Sequence, residues 1–397
     1  MNNFLKNNAL SLMLLTGVIV GGALGLLFGD GVRFLRPFGQ IFLNLIFVLV
    51  VPLVFFSIAS SITGLQRSHV IGKVLLWSLV VFGGMSVIAG LLAYAGALVW
   101  NPFAGMETIT DGTLMAEKRS WGDLLVSSLT APDFLALFSK TRMLPLIIFS
   151  ALFGLGTAAC HAEKVSAFLE EGTKVIVKIV EMIMYLAPIG LGCYFAGLMA
   201  DLGGQIAGSY LRIFLLFLVL TGIVYFILQP LYIFLVCGKD GLRAFRQNII
   251  TPSITAIATT SSFACIPINI DAAHRMGADK AVADAVIPLG TNLHKDGSVL
   301  AGVLKVLFAM MFLGTFQPSV SNAAMVIGIA ILVGVVMGAV PTGGMTGELL
   351  ICSVLGLDPA FAATLMVIST IVDIPATLIN STGNLTGTVL ISRLSGK

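Results

Sequence analysis

Charged side chains are scarce in this chain: Asp, Glu, Lys and Arg make up 10% of its 397 residues. A soluble globular protein carries about 25%. So thin a charged coat excludes a molecule that meets water on all sides. Histidine is rarer still, with four residues, and the five cysteines are scattered through apolar segments. Cys160, Cys193, Cys237, Cys265 and Cys352 lack metal-ligand spacing and read as small buried hydrophobes, not as disulfides or ligands. Basic residues do not cluster or interleave with aromatics, so the net charge of +3 does not point to nucleic acid. A nucleotide-binding loop, a metal cluster and a nucleophile constellation are also missing, which argues against an enzyme and against a tightly bound cofactor. Lys6 precedes the first apolar run, but no small-residue cleavage site follows. The run reads as a membrane helix and not as a removed signal.

What is there is hydrophobic, at 57% of residues. The fold class expected is an all-α polytopic membrane protein with little mass outside the lipid. Crossing a bilayer takes roughly 20 apolar residues. Runs with little or no charge lie at 7–29, 37–66, 74–106, 143–160, 175–200 and 213–238. The run 37–66 exceeds what a bilayer requires and predicts tilt. Residues 107–142 are the most polar region and predict an extramembrane loop plus part of an irregular fourth helix. The distribution of Lys and Arg favours a cytoplasmic N-terminus by a modest margin.

After Lys239 the segments become shorter and richer in Ser, Thr, Gly and Pro. Around Pro267 and around Pro341–Gly344 each arm is too short to span, which predicts apolar hairpins that turn back inside the membrane. Paired interrupted segments of this kind mark a transporter's binding site. The last long segment holds Val372–Gly387, in which spacings of three and four put Asp373, Thr377, Asn380 and Asn384 on one helical face. Lone Ser, Thr or Asn residues in membrane helices usually serve packing. A carboxylate among them is different, since burying it costs several kcal/mol unless something binds it. The stripe reads as one wall of a substrate site.

On four motifs in order, the chain resembles the dicarboxylate/amino acid:cation symporter family, the relatives of glutamate transporters. Thr259-Thr260-Ser261-Ser262-Phe263-Ala264-Cys265-Ile266-Pro267 matches the serine-rich tip of the first hairpin. His294-Lys295-Asp296-Gly297-Ser298 stands for Asn-Met-Asp-Gly-Thr, and Val340-Pro341-Thr342-Gly343-Gly344 for Val-Pro-Gly-Ala-Gly. Asp373 to Asn384 covers the last-helix motif, and VPLVFFSIASSITGL, LPLIIFSALFGLG and LAPIGL resemble earlier helices. The resemblance implies eight transmembrane helices plus two re-entrant helical hairpins in inverted repeats, working as an elevator-type transporter. It further implies a homotrimer in the plasma (inner) membrane. Residues 1–72 would hold scaffold helices 1 and 2, and 73–106 helix 3 of the transport domain. Residues 107–238 would hold the extracellular loop, scaffold helices 4 and 5 and transport helix 6, and 239–397 the transport core.

Family roles carry over unevenly. The resemblance implies a substrate set of Ser261, Ser262, Ser298, Thr342, Gly343, Asp373, Thr377 and Asn380, with Asp373 on the amino group and Asn380 near the α-carboxylate. The arginine that grips an acidic side chain falls at Ala376, and the basic residue of the first hairpin at Thr260. This favours a small neutral amino acid such as serine, threonine or alanine; the alternative is sodium- or proton-coupled glutamate or C4-dicarboxylate symport. A reading from another class is a transport-dead sensor or an anion channel on the same scaffold. The expected partners are thus a small-molecule substrate, an amino acid or dicarboxylate, and membrane lipid.

Cation coupling is assigned to Gly290, His294, Lys295, Asp296, Asn380 and Asn384, with Na+ possible at Gly290, Asn380 and Asn384. Asn384 stands at the family's sodium aspartate, and the third-helix ligands align loosely with Ser78, Val81 and Phe82. The coupling ion is left open between Na+ and H+. Lys295, paired with Asp296, is expected to replace at least one sodium as a tethered cation, with a structural ion pair as the bland reading. Glu348 is expected at the surface, or paired with Lys295 as a gate latch. Lys305 is expected to snorkel or line water. Lys178 and Glu181 are expected to pair along one helix face. Pro267, Pro341 and Pro375 are read as helix breakers.

Overall fold

The computed structural model describes residues 9–67, 72–104, 130–139, 141–202, 204–338 and 344–396. Thr342, Gly343 and most of the region 107–142 lie outside the described residues. Every regular element among the described residues is helical, as apolar runs in lipid require, because a helix satisfies its own backbone amides.

The first half comprises α1 (Ala9–Phe28), α2 (Arg36–Arg67), α3 (Gly72–Trp100), α4 (Met143–Ala159), α5 (Glu163–Met184) and α6 (Ala187–Leu202). A 3₁₀ turn, Gly29–Leu35, joins α1 to α2. α1 lies tightly on α6. Glycines at every fourth position make this possible: a Cβ on Gly17, Gly21 or Gly25 would strike the backbone of Pro188, Gly192 or Ala196. Small residues at that spacing let helix backbones touch. α2 packs against α4, α5 and α6, and its Phe55 and Phe56 meet Phe149, Phe153 and Phe168 edge-on, tilted or stacked. α5 carries exposed i,i+3 and i,i+4 pairs, Lys178–Glu181 at 2.9 Å and Lys174–Glu170 at 2.6 Å. The single run expected over 175–200 is instead α5 followed by α6 with a bend of 61°.

The second half begins with α7 (Gly204–Ile223), a five-residue π-helical joint Val224–Leu228, and α8 (Gln229–Asn248). Next come α9 (Ile250–Thr259) and α10 (Ile266–Arg275), the two short arms of the first hairpin. α11 (Lys280–Leu293) and α12 (Asp296–Phe312) form one helix interrupted at His294–Lys295. α13 (Val320–Gly338) and α14 (Gly344–Leu355) form the second hairpin, and α15 (Phe361–Ser395) ends the chain. α12 is buried on all sides, as a helix apolar around its full circumference must be. It packs on α3, α13 and α15. α15 runs unbroken through Pro375, so Pro375 does not break the helix as expected. Pro267 does start one, in the first turn of α10.

Among the described residues, five helical stretches are long and apolar enough to cross a membrane: Thr16–Thr63, Gly72–Trp100, Gly208–Asn248, Val320–Met337 and Phe361–Ser395. The bent pair α5–α6 makes a sixth.

Candidate functional site

The site grows from the interruption between α11 and α12. His294 and Lys295 are extended there (φ −120° and −144°), which leaves the first amides of α12 without helical partners. Asn380 of α15 supplies one: its Oδ1 accepts from Gly297 N at 2.8 Å and Ser298 N at 3.4 Å, and its Nδ2 donates to Ser298 Oγ at 3.4 Å. Gly297 is needed for this approach, since a Cβ would strike the backbone of Ala376. Ala376 therefore lies directly against the start of α12 and is itself buried.

Beneath this contact lies an enclosed polar cluster. His294 Nε2 is 2.9 Å from Asp296 Oδ1, and the two residues are 1% and 2% exposed. Ser86 of α3 donates to the same oxygen at 3.5 Å. The His294 ring stacks on Phe82 of α3, with centroids 4.4 Å apart and planes at 18°. Gly383 of α15 closes the other side, where a Cβ would meet Asp296 Oδ2, His294 and Gln229. Gln229 donates to Thr382 Oγ1 at 3.0 Å. Asn384 Nδ2 donates to Ile287 O and Thr291 Oγ1 at 2.8 and 2.9 Å, while a Cβ on Gly290 would collide with Asn384 Oδ1 and Phe82.

Lys295 lies half-buried within electrostatic reach of Asp373. Its expected partner, Asp296, is taken by His294 instead, because an interrupted helix sends successive side chains to different sides. Thr377 is buried on the same face of α15 as Asp373 and Asn380. At the first hairpin tip Thr260 is left-handed (φ +47°), Ser261 N donates to Thr259 Oγ1, and Ser261 Oγ accepts from Ala264 N. Ser262 follows in the same half-buried turn. Asn269 of α10 ties the hairpin to α15 by donating to Ser381 O at 3.1 Å and Ser381 Oγ at 3.0 Å.

Three further expectations are corrected. Glu348 is neither exposed nor paired with Lys295. It is fully enclosed and pairs with Lys305 at 2.5 Å, so Lys305 does not snorkel. Ser369 of α15 accepts from Lys305 Nζ at 2.9 Å and donates to Glu348 Oε1 at 2.5 Å. On α3 the oxygen that reaches the core comes from Ser86; Ser78 bonds only its own helix, at Val74 O, and Phe82 contributes a ring. Ser86, Gln229, Thr291 and Ser369 were not singled out from sequence. Ser78, Phe82 and Ser86 share a face at spacings of four, and that stripe was the available signal for Ser86.

An all-helical membrane protein with buried polar groups gathered at interrupted helices has the architecture of a secondary transporter. Residues 10–394 match the model of the sodium:dicarboxylate symporter family, and the chain belongs to that family. The chain is therefore an integral membrane protein of a symporter family. Among its relatives is "C4-dicarboxylate transport protein 2" of Pseudomonas aeruginosa, 25% identical over 97% of this chain and 90% of that protein. The "C4-dicarboxylate transport protein" of Anaeromyxobacter sp. is 25% identical over 98% and 90%. The "Proton/glutamate-aspartate symporter" of Escherichia coli is 27% identical over 71% and 68%. These names speak of dicarboxylates and acidic amino acids and lend no support to the small neutral substrate expected from Ala376 and Thr260.

Proposed function

We propose that the protein is a secondary transporter for an acidic amino acid, with a C4-dicarboxylate as the related alternative. What supports this reading is that Lys295 and Asp373, of opposite charge, are both half-buried in the helical core and within electrostatic reach of each other. Intramembrane charges of this kind mark substrate paths. The pair is neutral when empty. An aspartate-like substrate brings one ammonium and two carboxylates. Asp373 takes the ammonium and Lys295 takes one carboxylate. The second meets the first-hairpin tip groups Ser261 and Ser262, with Ser298 and Thr377 alongside. A plain dicarboxylate offers Asp373 no ammonium and brings like charge toward its carboxylate. Lys295 thus supplies the cation that Ala376 and Thr260 do not.

The packing supports a division of labour. α1, α2 and α4 to α6 pack mainly with one another, while α12 and α15 pack with α3, α7 and the hairpins. The first group is the scaffold of an elevator and the second its carrier, in a homotrimer in the plasma membrane with the N-terminus in the cytoplasm. Eight crossings and two hairpins complete the count.

A second reading, a small neutral amino acid, is favoured by the buried Ala376 against Gly297, which leaves no guanidinium there. Uptake of labelled aspartate into proteoliposomes, competed by glutamate, succinate or serine, separates the readings. Aspartate and glutamate should compete best. Lys295→Met should weaken aspartate by roughly tenfold or more, with serine little changed. Competition by serine alone would remove the acidic reading.

A further inference from the structure

Among the described residues, the only fully buried carboxylates are Asp296 and Glu348, at 2% and 0% exposure. Each has a base from the same chain against it: His294 Nε2 stands 2.9 Å from Asp296 Oδ1, and Lys305 Nζ stands 2.5 Å from Glu348 Oε1. Both bases are as enclosed as their partners, at 1% and 0%. A hard cation in a protein takes several oxygen ligands, with carboxylates foremost. Inside a membrane it also uses carbonyls freed where a helix unwinds. Here the unwound stretch is His294–Lys295, so both residues of the break are themselves bases. Around Asp296 the polar neighbours are Ser86, 3.5 Å from Oδ1, and Gln229 on the Gly383 side. Phe82 stacks on His294 and fills the volume beside Asn384 Oδ1, made available by Gly290 and Gly387. A sodium ion on Asp296 Oδ1 would have to displace the imidazole. At Glu348 it would lie beside an ammonium that also donates to Ser369 Oγ at 2.9 Å.

We infer that sodium is not the coupling ion of this transporter, because His294 and Lys305 are tethered bases standing where a sodium ion would need its carboxylates. The inference rests on the transport reading above but concerns only the ion. It also moves the tethered base at Asp296 from Lys295 to His294.

Sodium binding and transport are measured separately. Purified wild type is tested for 22Na+ binding and for thermal stabilisation by sodium against choline at equal ionic strength. Uptake of aspartate is compared in the same two salts. The expected results are no saturable sodium binding and uptake rates within about twofold, whereas a coupled ion changes affinity by roughly 5- to 150-fold. Saturable sodium binding, or a fivefold or larger stimulation on the scale of such coupling, overturns the inference. A wild type that binds no sodium and transports no aspartate supports the inference and defeats the substrate reading. His294→Asn frees Asp296 and should gain sodium stimulation. A well-folded His294→Asn protein that still ignores sodium overturns the assignment to His294. Where that variant fails to fold, the wild-type binding measurement alone decides.

Discussion

Removing one partner of the Lys305–Glu348 pair should be among the most damaging changes available in the core, and removing both should be nearly harmless. Lys305 sits on α12, Glu348 on α14 and Ser369 on α15, so three helices meet at one carboxylate oxygen. Both charged side chains are fully enclosed. Lys305→Met leaves a buried carboxylate with a single hydroxyl donor. Glu348→Met leaves an ammonium facing a thioether and a single hydroxyl. Each loss costs about 3–5 kcal/mol, because the surviving charge cannot reach water. The double variant Lys305→Met with Glu348→Met removes both charges at similar volume and should fall near wild type, or above it by about 1–4 kcal/mol. The pair's coupling in a double-mutant cycle is then about 6 kcal/mol or more in magnitude, since both single losses vanish together. Reversible unfolding of the four proteins in detergent measures it. Single losses below about 1 kcal/mol, typical of exposed pairs, would refute the reasoning. They would mean that water reaches Glu348 Oε2, which has no hydrogen-bond partner among the described residues.

Two other expectations follow from single contacts. Asn380→Ala strips the acceptor from Gly297 N and Ser298 N, so two buried amides lose their partner at about 1–3 kcal/mol each. Unfolding in detergent should show the loss, and Asn380→Asp, which keeps the acceptor, should recover most of it. Gly21→Val forces α1 off Gly192 and should cost at least about 1–3 kcal/mol as overpacking, read as a fall in thermal stability with aspartate affinity unchanged in the protein that folds.

Much of the architecture was legible because lipid leaves few options. Long apolar runs must be helices, and arms too short to span, with Pro and Gly between them, must turn back. The interruption at His294–Lys295 was legible from its motif. The pairing inside it was not. Which base meets Asp296 depends on the dihedral angles of two extended residues, and those come from packing on α3 and α15. Lys305 and Glu348 are 43 positions apart on different helices, so no local spacing could join them. Each alone reads as a surface charge, and only their mutual burial shows otherwise. Pro375 misled because a proline is costly in an isolated helix, whereas in a packed membrane core neighbours re-satisfy the carbonyl it frees. The glycine ladder at 17, 21 and 25 was visible in the sequence, but its partner helix was not.

The charge arrangement also constrains how such a carrier can do work. Asp373 with Lys295, and Glu348 with Lys305, each sum to zero when the substrate site is empty. Aspartate carries a net charge of about −1 near neutral pH. A loaded core therefore moves one more negative charge than an empty one. Against a potential that is negative inside, inward movement of that charge costs about 2.3 kcal/mol per 100 mV. That opposes accumulation by roughly fiftyfold, since 1.4 kcal/mol is a factor of ten. A co-transported cation is one remedy, yet both fully buried carboxylates among the described residues have a base against them. If sodium is not that cation, two solutions follow: another cation that enters with the substrate, or exchange against an internal anion of equal charge, in which the potential cancels. Liposomes loaded with aspartate, compared with empty ones, separate them, because only exchange needs substrate on both sides.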